Sequence, residues 1–581
     1  MRFFTFTRHF PWFLRVLCVL CVLAANCLSL DREAFTFTNY DLNLQIEPEQ
    51  HRLGVRGKIT LRNDSSTPQK VAVLQISSSL NWLSIKAGDK PVQFVTQPYT
   101  SDIDHTGGLS EALVTLPQPV APKGTIDLDI GYEGVVVLDA TRLTRIDTPE
   151  RTAEHTDWDQ IVRDYVGVRG PGYVAWYPVA TESASLSDGD SMFEVIGRWK
   201  AREARARMQL HLSSLPLSSG RQEILINRTT CPDLRTDAQR DQGAPIECTF
   251  QTEGSTPVSF VVADYSVVDR PGIEVHCLQW QAAGGAVFAD LADRLAPWIK
   301  DWFGPPREKA KVVDLPDAEA APFENGSQLF ISVGNYDASL AGLVLAHQLT
   351  HASFLSFRPW IEEGLAHFAQ ALYLEHEKNR LAALDYMGLH RSAFVEAEKP
   401  ATPPRSEGEV SHALVNTVSE ELYRSKAMCV WWMLRDMIGD AALKKALAAY
   451  RAEDDKDPAY MPHLIAAQTQ RDLGWFFDDW VYHDRGLPDF KVESAFARKA
   501  TTDTFMIAVT VDNLGTAGAE VPVIVKFTGG EVTKRLEVHS KSKATIRIEV
   551  PGAPQEVVVN DGSVPESDMT NNTFTIAPAQ K

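Results

Sequence analysis

Two histidines, His347 and His351, stand four positions apart in a run of residues that predicts a helix. Residues at i and i+4 lie on one face of a helix, one turn apart, so the two imidazoles can bind the same cation. Twelve positions after His351 comes Glu363, followed directly by Gly364. Two histidines and a carboxylate with a fourth position open are the ligand set of a catalytic zinc site. We therefore expect one zinc ion, bound by His347, His351 and Glu363.

A break in the helical pattern separates the histidines from the glutamate. Because Pro359 disfavours helix at the residue before it, the segment 357–359 predicts a turn between two helices. The second helix would bring a carboxylate back to the histidines. Glu362 would point about 100° away from Glu363 on that helix, which favours Glu363 as the ligand. The alternative is a pair of histidines that share a helix face and bind no metal.

Gln348, between the two histidines, bears on whether such a site could hydrolyse anything. In zinc peptidases with the motif H-E-x-x-H, the Glu at this position is the general base that acts on the metal-bound water. An amide lacks the basicity of a carboxylate and cannot take that proton. General-base catalysis contributes roughly 10²–10⁴-fold to a rate. The sequence therefore predicts a zinc site and leaves hydrolysis open.

Length and charge limit the class of protein. The chain has 581 residues, which is too long for one hydrophobic core and predicts three or four domains. Its formal net charge is −19, and no basic stripe offsets it. This argues against a nucleic-acid partner.

The N-terminus has the pattern of an export signal. Arg2, Arg8 and Arg15 precede the apolar run 16–30, which at 15 residues is short for a bilayer span of about 20. We expect a signal peptide over 1–30 and an exported protein, located in the periplasm, the cell envelope or outside the cell. An uncleaved membrane anchor is the alternative. No other apolar run in the sequence is long enough to span a bilayer.

The first large region has the pattern of β-strands. Apolar and polar residues alternate over 40–46, as in strands with one face in water. We expect an antiparallel β domain over 31–268. Within it, Cys231 and Cys248 flank a polar loop, and in an exported protein a disulfide can close that loop. Two free thiols are the alternative.

Two further regions follow. From Phe288 to Trp302 the apolar residues fit one helical face, and helices are predicted over most of 269–489. Alternation returns over 505–511, which predicts an Ig-like β-sandwich over 490–581. The expected fold class is multidomain α+β.

The order of these regions resembles the membrane alanyl aminopeptidase family of gluzincin metallopeptidases. The resemblance covers about residues 35–490 and is strongest at 347–351, HQLTH, and 360–366, WIEEGLA. The family usually has a longer segment between the second His and the ligand Glu. The shorter spacing of this chain is similar to bacterial domains described as peptidase MA-like.

This resemblance implies a thermolysin-like, mainly helical zinc domain over 269–489. It also implies that His347, His351 and Glu363 hold the zinc ion. The activity it implies is removal of N-terminal residues from peptides, with Gln348 in place of the catalytic Glu.

A second match lies upstream, in the segment 322–326, PFENG. It is similar to the family's G-x-M-E-N loop, whose Glu binds the free amine of the substrate. The resemblance therefore implies that Glu324 binds a protonated N-terminus, for which a carboxylate is chemically suited. A surface carboxylate at the start of a strand is the alternative.

A third match is Tyr423, which precedes an apolar helix. The family has a Tyr near this position that stabilises the oxyanion of the tetrahedral intermediate, a hydrogen bond that a phenol can donate. The family pattern Tyr-x-Lys-Gly is shifted in this chain. The alternative is a tyrosine that packs on the core at the start of the helix.

Two hypotheses of function follow. The first is an exported zinc metallopeptidase, similar to aminopeptidases, whose activity is impaired by Gln348. The second is a pseudo-peptidase that binds peptide ends or a partner protein without cleaving. In both, the expected partner is a peptide with a free N-terminus.

Overall fold

The computed structural model describes residues 30–576, except 189–190, 255–256, 335–337, 398–412, 418, 420, 484 and 502–503. The predicted signal peptide over 1–30 lies outside these ranges, apart from Leu30. Within them, no helix is both long and apolar enough to cross a bilayer.

Three β-sheets with short connecting helices build the N-terminal part. The strands are β1 (Phe35–Glu47), β2 (Arg52–Asn63), β3 (Gln69–Ser77), β4 (Leu80–Ala87), β5 (Lys90–Pro91), β6 (Gln93–Thr100), β7 (Gly108–Val120), β8 (Thr125–Val135), β9 (Gln160–Val162), β10 (Tyr165–Val168), β11 (Arg207–Ser214), β12 (Glu223–Ile226), β13 (Thr229–Cys231), β14 (Ile246–Glu253) and β15 (Phe260–Ala263). The helices are α1 (Thr141–Thr144), α2 (Glu150–Thr156), α3 (Ser191–Arg202) and α4 (Asp237–Asp241), with a 3₁₀ turn at Pro48–Gln50.

The strand orders are β14-β11-β1-β2-β8-β4-β5, β13-β12-β15-β10-β9 and β3-β7-β6. Among the described residues these pairs are antiparallel, except that β1 and β11 run parallel. The predicted alternation is seen in β1, where Tyr40 and Leu42 are buried while Asp41 is exposed. The predicted disulfide between Cys231 and Cys248 forms and joins β13 to β14.

A mixed sheet and a layer of helices follow. The strands are β16 (Tyr265–Arg270), β17 (Ile273–Leu278), β18 (Ala310–Asp314), β19 (Phe323–Asn325) and β20 (Gln328–Ile331). The helices are α5 (Ala282–Phe303), α6 (Ala338–Ser353), α7 (Pro359–Glu377), α8 (Arg380–Ala397), α9 (Ala427–Ile438), α10 (Asp440–Ala449), α11 (Tyr460–Ala466) and α12 (Gly474–Phe477). Between them lie 3₁₀ turns at Gln279–Gln281 and Ala452–Asp454, and π-helical turns at Glu421–Lys426 and Asp478–Tyr482.

The sheet order in this region is β16-β17-β18-β20-β19. β17, β18 and β20 are parallel, and β19 pairs antiparallel with β20 at the sheet edge. β16, which pairs with β17, spans the domain boundary predicted between residues 268 and 269. Helix α5 buries the predicted apolar face, including Phe288, Leu295 and Ile299.

Two facing sheets form the C-terminal part. Its strands are β21 (Phe490–Lys499), β22 (Phe505–Asn513), β23 (Ala519–Phe527), β24 (Gly530–Val538), β25 (Lys543–Val550), β26 (Pro554–Val559) and β27 (Thr573–Thr575), in the orders β21-β22-β25 and β24-β23-β26-β27. Their buried residues and those of the helices form one hydrophobic core. Trp480 Nε1 donates a hydrogen bond of 2.7 Å to the carbonyl of Gly518 across this junction. The chain thus has a multidomain α+β architecture.

Candidate metal centre

The two histidines lie on one face of α6, as their spacing predicts. His347 is 1% exposed and His351 is 8% exposed, because α6 packs between α5 and α7. Their Nε2 atoms are 3.0 Å apart. Two buried imidazoles that point the same ring nitrogen at one another can share a proton or a metal ion.

The predicted break between the two helices is observed after α6. Arg358 has extended backbone (φ −105°, ψ 116°), and Pro359 begins α7. Ser356 Oγ accepts a hydrogen bond from the Arg358 backbone N–H at 3.1 Å, and the Arg358 guanidinium contacts Asp455 at 2.8 Å. These contacts fix the direction in which α7 leaves the turn.

Helix α7 returns Glu363 to the histidines. Glu363 Oε1 lies 3.7 Å from His351 Nε2, and Oε2 lies 3.9 Å from His347 Nε2. The approach depends on Gly364, because a Cβ there would lie 2.6 Å from the Cβ of Ala427 and 3.0 Å from Nε1 of Trp431. Glycine therefore lets α7 pack closely against α9, and this packing determines how close Glu363 lies to the histidines.

The donor set of this cluster fits a single zinc ion. One ligand atom from each of His347, His351 and Glu363 lies within 4.8 Å of the others. Two nitrogens that each bind zinc at about 2.0–2.1 Å in tetrahedral geometry are roughly 3.3 Å apart, close to the observed 3.0 Å. Glu363 Oε2 is buried and accepts no hydrogen bond from the described residues. The Arg424 guanidinium lies 3.3 Å from this oxygen, and a metal ion would be a second cation beside it.

The carboxylates beside His351 favour a positive charge at its ring, which either a proton or a metal ion can supply. Burial lowers the pKa of His351, but Glu362 and Glu363 outweigh it and raise this pKa to about 9. Burial raises the pKa of Glu363, but Arg424 and the two histidines outweigh it, so the pKa falls below its usual value. The carboxylate is thus held ionised, as a metal ligand must be.

Glu324 also reaches the cluster, although it is 23 positions before His347 in the sequence. It lies on the edge strand β19, with Oε2 at 3.0 Å from His347 Nε2. The flanking residues of β19 are held by the N-terminal part. The Phe323 ring packs on Tyr173 with centroids 5.2 Å apart, and Asn325 Nδ2 donates to Asn227 Oδ1 at 3.1 Å.

Gln348 is fully buried beside His347. Neither of its amide atoms has a hydrogen-bond partner among the described residues. A buried amide is costly to leave unpaired. The assignment of Gln348 to the position of a general base stays a prediction.

The segment that carries Tyr423 forms a π-helical turn, Glu421–Lys426, before α9. Tyr423 is partly buried and packs on the helical core. The next residue, Arg424, contacts the proposed ligand, with Nε 3.3 Å from Glu363 Oε2. The oxyanion role of Tyr423 stays a prediction.

Three further residues border the cluster; the sequence analysis predicted no role in the site for Arg424 or His367 and weighed Glu362 only as the less favoured ligand. Besides Arg424, Glu362 lies 3.7 Å from His351 Nδ1, the ring nitrogen opposite the one that faces Glu363. A carboxylate there orients a ligating histidine. The His367 ring packs on His347 with centroids 4.9 Å apart. His367 stands four residues after Glu363, so the spacing places both on one face of α7 and could have identified His367 as part of the site.

No protein-family model matches the chain, and no curated protein matches it. Among solved structures, the chain is similar to an M1 zinc metallopeptidase from Deinococcus radiodurans, with 17% sequence identity and a TM-score of 0.43. The match covers 75% of this chain and 90% of that chain. A likeness at this level does not establish a family. What the residues define is a multidomain α+β protein with a cluster of two buried histidines and a partly buried glutamate, a ligand set suited to zinc.

Proposed function

We propose that this chain binds one zinc ion through His347, His351 and Glu363, and that Glu324 binds the free N-terminus of a peptide beside that ion. The observation that carries the proposal is the convergence on His347 Nε2. This atom lies 3.0 Å from both His351 Nε2 and Glu324 Oε2 and 3.9 Å from Glu363 Oε2.

The charge and exposure of Glu324 support the amine-binding role. Burial raises its pKa, but His347 and Arg424 outweigh this and hold the pKa well below its usual value, so the carboxylate is ionised. The side chain is 29% exposed and can meet a ligand from solvent. A carboxylate and an ammonium form a charge-assisted hydrogen bond, roughly twice as strong as a neutral one. The resemblance of 322–326 to an amine-binding loop agrees with this role.

Hydrolysis by this site is weak or absent in the proposal. Zinc, when bound, polarises a carbonyl and acidifies water. The residue that would accept the proton in such peptidases is replaced by Gln348. The protein is therefore a peptidase-like binder of peptide N-termini. Its export through a signal peptide over 1–30 belongs to the same proposal.

A slow aminopeptidase is the second candidate, in which Glu324 is the base rather than the amine anchor. The observation that favours it is again the position of Glu324, on the side of His347 that faces the other ligands. Glu362 is the less suitable base, because it approaches His351 from the opposite ring nitrogen.

Metal analysis tests the ligand set. The full chain, purified without chelators, is expected to carry one zinc ion, which His347→Ala and Glu363→Ala each remove. His376→Ala is the matched control, because His376 lies on α7 but is 55% exposed and stacks on Trp298. A parent protein without metal, or variants that all keep it, would refute the site.

Turnover of alanyl-aminomethylcoumarin separates the two candidates. For a binding protein, the parent is inactive, and Gln348→Glu gains activity, since a general base contributes roughly 10²–10⁴-fold. For a slow aminopeptidase with another base, the parent already turns over and Glu324→Gln abolishes the activity. If the parent and Gln348→Glu turn over the substrate at equal rates, the lack of a carboxylate at position 348 does not limit the activity.

A further inference from the structure

A buried histidine lies at the junction between the N-terminal part and the mixed sheet. It is His276 on β17, which is 1% exposed. Its Nδ1 atom lies 2.7 Å from Glu223 Oε1, on β12 of the N-terminal part. Its Nε2 atom lies 3.6 Å from Glu274 Oε2, on its own strand. Both ring nitrogens therefore face a carboxylate, and one of these carboxylates belongs to the other side of the junction.

This arrangement suits a protonated imidazole. A neutral imidazole has one N–H donor and one acceptor nitrogen, whereas an imidazolium has two donors. A neutral ring at this position could donate to only one carboxylate and would turn a lone pair toward the other. Burial lowers the pKa of His276, but Glu223 and Glu274 outweigh burial and raise this pKa above its ordinary value of about 6.5. The contact with His276 is also the main cause that lowers the pKa of Glu274 to about 2, so this carboxylate stays ionised.

A second cation of the mixed sheet reaches the same part of the junction. Lys311 on β18 is 6% exposed and lies 3.5 Å from Glu274 Oε2. Its Nζ atom donates to the carbonyl of Arg228 at 2.9 Å and to Thr230 Oγ1 at 2.6 Å. Both acceptors belong to the hairpin formed by β12 and β13. The hairpin is thus held to the mixed sheet by a lysine and by a histidine.

The remaining charged and titratable neighbours act less directly on the ring. Tyr265 on β16 packs edge-on against His276, with centroids 6.0 Å apart, and burial raises the pKa of this phenol well above its usual value. Lys309 contacts Glu274 at 3.7 Å rather than the imidazole. Histidine is the side chain whose ordinary pKa lies near neutrality. His276 is therefore the group of this set that changes its charge near neutral pH.

We propose that His276, protonated between Glu223 and Glu274, is a pH-sensitive latch that holds the β12–β13 hairpin against the mixed sheet and loosens it when the ring loses its proton. Because the folded state binds this proton more tightly than the unfolded chain, the stabilisation is complete below about pH 6.5 and is lost as the pH rises through the raised pKa of His276. The contacts of Lys311 do not depend on this proton, so the junction weakens without separating. The latch includes no residue of the metal cluster and does not depend on the proposed function.

A second histidine at the same junction provides a matched control. His155, on α2 of the N-terminal part, has Nδ1 at 2.5 Å from Asp317 Oδ2 and Nε2 at 3.2 Å from Glu319 Oε2. Its side chain is 25% exposed, and Arg151 also pairs with Glu319. Solvent screens exposed ion pairs, which contribute little to stability. His155→Gln therefore has the same chemistry as His276→Gln at a site where we expect a small effect.

Hydrogen–deuterium exchange of the full chain, followed by mass spectrometry, tests the proposal. Parent and His276→Gln are compared at each pH, so the intrinsic pH dependence of exchange cancels. Glutamine can donate to a carboxylate but cannot become positively charged. At pH 6 the amides of β12 and β13 should exchange at least about tenfold faster in His276→Gln than in the parent, since one unit of pKa shift is a tenfold change in equilibrium. At pH 9 the two rates should be similar, and His155→Gln should change the rates by less than about fivefold at either pH.

Equal exchange in the parent and His276→Gln at pH 6 would refute the latch. A difference of the same size at pH 6 and pH 9 would also refute it, because the histidine would then act without its proton. An effect of His155→Gln as large and as pH-dependent as that of His276→Gln would overturn the assignment of the latch to His276.

A second variant applies if His276→Gln does not fold. Glu223→Gln keeps the ring and removes the carboxylate on the other side of the junction. Its exchange rate relative to the parent should be higher at pH 6 than at pH 9, because the lost contact is strongest with the charged ring. A ratio that does not change with pH would contradict the proposal.

Discussion

The substitution Gly364→Ala should both destabilise the helical region and weaken zinc binding. The added Cβ would lie 2.6 Å from the Cβ of Ala427, where ordinary contacts are 3.4–4 Å. Because both methyl groups are attached directly to helix backbone, neither can rotate away, and α7 must move from α9 by close to 1 Å. Such overpacking costs about 1–3 kcal/mol.

The gain in helix propensity offsets part of that cost. Replacing a helical glycine by alanine stabilises a helix by about 0.8–1 kcal/mol. Gly388 supplies the matched control, because it lies in α8 and a Cβ there meets nothing within 4 Å. We expect Gly388→Ala to be more stable than the parent, and Gly364→Ala to be less stable by up to about 2 kcal/mol.

The effect on zinc follows from the position of Glu363, the neighbour of Gly364. Metal–ligand distances tolerate about 0.2 Å, so a displacement of α7 near 1 Å should lower zinc affinity by roughly 10–100-fold. Urea denaturation followed by tryptophan fluorescence reports the stability, since Trp360 and Trp431 stack at this contact with centroids 5.2 Å apart. Competition with a chelator reports the affinity.

A second substitution tests whether the contact with Ala427 causes these effects. Adding Ala427→Gly to Gly364→Ala removes the shortest contact, which should restore most of the zinc affinity. If Gly364→Ala instead matches Gly388→Ala in stability and keeps the parent's zinc affinity, the close contact does not set the position of the ligand.

Three further predictions concern other parts of the chain. Asn325→Ala removes the hydrogen bond from β19 to the N-terminal part, and it should reduce the preference for a ligand with a free ammonium by about tenfold. Titration with leucinamide and N-acetylleucine measures that preference, and the zinc content should not change. The Cys231–Cys248 disulfide links residues 17 apart, and its loss should lower the free energy of unfolding by about 3 kcal/mol. Comparing denaturation with and without reductant measures this difference, and the zinc content should not change. Burial raises the pKa of Glu566 in the C-terminal sandwich to about 7, above its unfolded value, so its contribution to stability is present at low pH and is lost as pH rises through 7. Denaturation midpoints of Glu566→Gln should fall less between pH 5 and 8 than those of the parent, and parallel curves would contradict this.

The sequence by itself determined those features that depend on short spacings. The i, i+4 spacing of His347 and His351 places both on one helix face wherever the helix lies. Pro359 predicts the turn because its ring disfavours helix at the preceding residue. Alternation likewise predicted the strands of the two β regions, since side chains in a strand point to opposite faces in turn.

Tertiary structure alone decided which distant groups meet at the cluster. Glu324 approaches His347 because the N-terminal part holds β19 on both sides, and no local pattern encodes that contact. Arg424 contacts Glu363 from the π-helical turn before α9, and no spacing in the sequence predicted that contact. Both results depend on packing between segments far apart in the chain, which spacing within a single helix or strand does not specify.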